Sequence, residues 1–124
     1  MSSPSWITVV ETAAYLSDAT KLLSDEERRA VGNMIAQDPE CGVIMKETGG
    51  VRKVRLALDG RGKSGGARVV YFFHNVAMPV YLLAIFAKNE KDNLSAVEKA
   101  ALRKFVKDTV KGHEKKRTTK KKGD

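Results

Sequence analysis

Three β-prone runs sit close together in the middle of the chain, and the short links between them constrain the fold most. Val51-Arg-Lys-Val-Arg-Leu56, Gly65 to His74 and Val80 to Lys88 are rich in β-branched and aromatic residues. They are joined by a Gly-rich loop, Asp59 to Ser64, and by a tight turn, Asn75 to Pro79. Links this short cannot carry a crossover, so neighbouring strands should run antiparallel.

The flanking segments read as helices, with one more strand at the start. Trp6-Ile-Thr-Val-Val10 is a short β-prone run, and Thr12 to Leu23 is helix-compatible, with a weak point near Ser17-Asp18. Ser24-Asp-Glu-Glu27 has the form of a capping box and opens a helix to about Gln37, before Pro39. Ser95-Ala-Val-Glu98 is a second capping box, and its helix carries Val97, Ala101, Phe105 and Val106 towards a core as far as about Val110. The order β-α-α-β-β-β-α predicts an α+β fold: an antiparallel-rich four-stranded sheet packed against helices. The length of 124 residues suits a single domain over 1–110. The remainder, 111–124, has no apolar residue and reads as a disordered basic tail.

Charge is unevenly distributed. Residues 1–50 hold 4 Lys/Arg against 8 Asp/Glu, residues 51–110 hold 12 against 5, and residues 111–124 hold 7 against 2. The blocks of −4, +7 and +5 sum to the net +8. A basic middle beside an acidic first third implies a face for a polyanion rather than diffuse basicity. Cys41 is the single cysteine, which excludes an internal disulfide framework and fits a reducing cytoplasm. The first 19 residues lack the basic and continuous apolar regions of a signal peptide. The most apolar run, Val76 to Ala87, spans 12 residues and contains Pro79, too short for a membrane helix.

Gly62-Lys63-Ser64 mimics the end of a nucleotide-binding loop, but the pattern fails. The glycine required five positions earlier is Ala57, and the loop leads into a strand rather than a helix. No helix N-terminus would face the phosphates.

Alternation along the strands selects the cations that share a face. Lys53 and Arg55 point one way and Val54 and Leu56 the other. Arg68, Val70, Phe72 and His74 share a side, as do Leu82, Ala84, Phe86 and Lys88. If Val54, Tyr71 and Leu83 pack on the helices, then Lys53, Arg55, Arg68, His74 and Lys88 can converge opposite them. Each has a structural alternative as a solvated cation or turn residue. Arg68, at the head of a strongly apolar strand, is the least natural of them as a solvated side chain. Histidine as a residue type has a reference pKa near neutrality, which makes His74 a candidate proton carrier. Arg61 and Lys63 can grip phosphates, Phe86 can stack on a base, and Asn75 reads as a turn-former.

The segments "GGVRKVR", "GRGKSGGARVVYFFHN" and "PVYLLAIFAKNEKDNLSAVEKAALRKFV" resemble the RelE/HigB toxins of bacterial type II toxin–antitoxin systems, in particular the HigB branch. The resemblance spans roughly residues 49–106. It implies a microbial-ribonuclease-like α+β fold and a metal-free endoribonuclease that cleaves mRNA on the ribosome. It also implies a cognate antitoxin, expected to be of helix-turn-helix type. Carried over by position, the family's strand cations fall on Lys53 and Arg55, its next arginine on Arg68, its late aromatic–basic pair on Phe86 and Lys88, and the HigB asparagine on Asn75. Arg68 would then meet the transition-state phosphate, with Lys88 and Arg55 stabilising charge and His74 or Lys53 moving protons. Some family members end with a functional tyrosine; here no tyrosine follows Tyr81. The alternative function is a non-catalytic nucleic-acid binder, or a gyrase-directed module like the related ParE toxins.

Overall fold

The computed structural model describes residues 7–57, 66–87 and 93–122. Within them the chain forms β1 (Val9–Glu11), α1 (Ala13–Leu22), α2 (Asp25–Gln37), β2 (Val43–Ile44), β3 (Val51–Leu56), β4 (Ala67–Phe72), β5 (Val80–Ala87) and α3 (Ala96–Lys122). The five strands make one mixed sheet in the order β1-β5-β4-β3-β2, with β1 parallel to β5 and the other pairs antiparallel. The fold class matches the sequence expectation, and the sheet has one strand more than expected.

Both capping boxes form. Ser24 Oγ accepts the Glu27 N–H while Glu27 accepts the Ser24 N–H, and Ser95 and Glu98 repeat the exchange at the head of α3. Thr12 caps α1 by accepting the Tyr15 N–H and donates its hydroxyl to Leu82 O at 2.8 Å. One side chain thus starts the helix and ties it to β5. Helix α1 runs through Ser17-Asp18 unbroken. An Arg28–Glu11 ion pair links α2 to β1, and those contacts raise the pKa of Arg28 above its already high ordinary value.

The sheet is covered on both faces. On one, α1 and α2 enclose Tyr15, Val31 and Ile35 against Val69, Tyr71, Leu82 and Ile85. On the other, α3 lays Leu102, Phe105 and Val106 over Val51, Val70, Phe72 and Phe86. The β4–β5 register shifts between Val70, opposite Ala84, and Tyr71, opposite Leu82. Leu83 is therefore the additional residue of a β-bulge. The bulge overturns part of the expected alternation: Leu82 joins the α1–α2 core, while Tyr81 and Leu83 turn towards α3 with Ala84 and Phe86.

Helix α3 does not stop near Val110 but continues to Lys122. Lys, Arg and Glu are good helix formers, no proline intervenes, and a lone Gly112 is too weak to end a helix already nucleated on the sheet. At about 1.5 Å per residue, its 27 residues extend roughly 40 Å. No described helix is long and apolar enough to cross a membrane.

A candidate polyanion site at the open end of the sheet

The site forms at the β3–β4 hairpin end. Gly66, just before β4, has φ +62°, and a Cβ there would lie 2.0 Å from Leu56 O. Only glycine lets the chain pass this close and enter β4 in the register observed. That register sets Arg55 directly opposite Arg68, and Lys53 opposite Val70. Opposed residues in an antiparallel pair project from the same face. Lys53, Arg55 and Arg68, joined by Val43 and Asn93, line one open hollow of about 310 Å³.

Among the described residues that line it, the hollow has three cations and no carboxylate. Arg68 is the most buried of the three, at 5% exposure, and its Nη1 donates to Ala67 O at 3.3 Å. Like charges brought to about 4 Å repel by about 1 kcal/mol in water and more at lower dielectric. An anion placed between them removes that cost and adds charge-assisted hydrogen bonds. A larger hollow of about 460 Å³ lies between β1 and α2, but Glu11 and Asp25 balance Arg28 and Arg29 there. Among its described lining residues the smaller hollow carries charge of one sign only, a pattern that favours an anionic ligand.

The remaining candidates divide clearly. Lys88, Arg61 and Lys63 lie outside the described residues. Phe86 stands opposite Arg68 in the ladder but is only 6% exposed and packs in the α3 core, which corrects its reading as an open stacking platform. His74 does not converge with the cations. It follows the far end of β4, six residues from Arg68, or roughly 20 Å at strand rise. There its ring stacks on Phe72 at a 6.1 Å centroid distance. The expected convergence fails for His74 because alternation fixes the side of a sheet, not the position along it. Asn75 Oδ1 accepts the Ala77 N–H at 2.9 Å, so the side chain builds the turn before β5.

Asn93 and Val43 escaped the sequence reading. Asn93 sits in the "NLS" segment just ahead of the Ser95 cap, and that cap is the signal that would have drawn it towards the sheet end. Val43 belongs to a two-residue strand, too short for any periodicity.

The fold so defined is an α+β sheet covered by helices on both faces, with a hollow lined by three cations at one end. More particularly, the family model described as "RelE toxin of RelE / RelB toxin-antitoxin system" matches residues 16–123, and the chain belongs to that family. Among solved structures, a double arginine-to-alanine mutant of E. coli toxin RelE in the free state is similar, with a TM-score of 0.52 and 16% identity. The match covers 71% of this chain and 90% of that one, and at this identity it speaks for the fold.

Proposed function

We propose that this protein is a ribosome-dependent, metal-independent mRNA endonuclease of the HigB kind, a toxin that stops translation in the cytoplasm until a helix-turn-helix antitoxin binds it. Membership of the RelE toxin family supports the class. The observation that carries the chemistry is the opposition of Arg55 and Arg68 over a hollow that also holds Lys53. In the reaction, a ribose 2′-oxygen attacks the adjacent phosphorus and loses its proton. The bond to the 5′-oxygen breaks, and that oxygen takes up a proton, leaving a cyclic phosphate and a free 5′-hydroxyl. Charge grows on the non-bridging phosphate oxygens, and Arg68 and Arg55 meet it. Lys53, which lines the same hollow, is assigned to proton transfer, and Lys88 to charge stabilisation by family position alone.

The test is induction of wild type and Arg68→Ala from a repressed promoter, with growth, translation and mRNA 5′ ends recorded. New 5′-hydroxyl ends with wild type only are expected. Equal arrest by both proteins would remove Arg68 from the mechanism, and arrest with DNA-damage signalling and intact mRNA would favour the gyrase-directed alternative.

A further inference from the structure

A second hollow adjoins the first. It has about 250 Å³, and its walls include Val43, Lys53 and Asn93, which also line the first. Beyond that shared wall it adds Lys46 after β2, Lys99 on the first turns of α3, and an apolar floor that includes Ile44 and Leu94. Val43 and Ile44 form the outermost strand of the sheet and are 73% and 55% exposed. Glu47 Oε1 lies 3.8 Å from Lys99 Nζ.

Resting on the ribonuclease reading, we propose that this second hollow is a nucleotide subsite. It would hold the next unit along the strand, beyond the two that flank the scissile phosphate, with Lys46 and Lys99 on that unit's phosphate and Ile44 and Leu94 beneath its base and ribose. The chemistry matches on both counts. A nucleotide offers an anionic edge and an apolar ring face, and the hollow offers two ammonium groups above a greasy floor. Lys53 on the dividing wall makes the two hollows one track, so a single strand can occupy both. Glu47 acts against the ligand, because it competes for Lys99.

The full-length protein is titrated with 2′-O-methyl oligoribonucleotides, which bind but cannot be cut. A dinucleotide reaches the first hollow only, and a hexanucleotide reaches both. The double variant Lys46→Ala/Lys99→Ala should weaken hexanucleotide binding about tenfold and leave the dinucleotide unchanged. The salt slope for the hexanucleotide should shrink by about 0.7, the value for one phosphate contact on a single strand. Glu47→Gln should act in the opposite direction and tighten the hexanucleotide. Unchanged hexanucleotide binding in the double variant, or an equal loss for both oligonucleotides, overturns the subsite. Hexanucleotide binding that depends on Lys46 and Lys99, in a protein that cuts no mRNA, would leave the subsite standing and remove only the cleavage reading.

Discussion

Arg55 and Arg68 stand directly opposite each other in the β3–β4 ladder, two like charges in the place where a sheet ordinarily puts a complementary pair. With Lys53 they put three cations around one hollow at the end of the sheet, an arrangement suited to a ligand that carries negative charge.

From that relationship, Arg68→Ala should lower mRNA cleavage by about 10²–10³, the usual effect of losing a donor aimed at developing charge. Arg55→Ala should lower it as well and, because Arg55 is exposed, should change stability by less than about 1 kcal/mol. Cleavage rates measured beside thermal unfolding separate the two effects. A variant that lost activity and melting temperature together would point to a structural role instead.

His74 gives the complementary prediction. Its ring lies against Phe72 at the other end of β4, outside the cation-lined hollow. His74→Gln should change cleavage less than about threefold, since surface substitutions away from a site are usually near neutral. A pH–rate profile measured with both proteins is the check. Loss of a limb of that profile in the variant would return His74 to the proton path.

Two glycines test the backbone argument in opposite directions. Gly66→Ala forces a Cβ towards Leu56 O from a left-handed conformation and should cost about 3 kcal/mol or more, taking activity with it. Gly32 lies within α2, and a Cβ there meets nothing within 4 Å. Gly32→Ala should therefore stabilise by about 0.5–1 kcal/mol. Denaturant midpoints for the two variants should move apart from that of wild type.

What the sequence made legible follows from the range over which each signal acts. Val51–Leu56 was located to the residue, and the shared face of Lys53, Arg55 and Arg68 was read correctly, because alternation is a local property of an extended chain. Both capping boxes were visible for the same reason. The bulge at Leu83 was not, since it arises from pairing with β4 and leaves no mark on β5 alone. Nor was β2, whose two residues are a strand only because Lys53 and Arg52 stand beside them. The misplacement of His74 has the same origin: a face can be inferred from one strand, but the end of a sheet at which a site opens depends on how several strands and α3 come together.

The buried tyrosines supply a last pair of variants and a pH dependence. Tyr71 donates its hydroxyl to Pro39 O and accepts the Gly42 N–H, each at 2.8 Å, so it pins the segment leading into β2 and the rim of the site. Tyr15 is fully buried, and its hydroxyl has no partner among the described residues. Tyr71→Phe should cost about 1–3 kcal/mol, because it leaves Pro39 O and the Gly42 N–H without their partner. Tyr15→Phe should cost much less. Burial pushes the Tyr15 phenol up to about 12 and raises that of Tyr71 further. Below pH 10 the folded and unfolded chains both keep these protons, and the full stability is present. From pH 10 upward the unfolded chain releases them first, so stability falls as pH rises through the folded values. Alkaline unfolding followed by circular dichroism should begin near pH 10 in wild type and be less steep in Tyr15→Phe. An identical alkaline transition in the variant would show that the buried Tyr15 phenol contributes nothing to it.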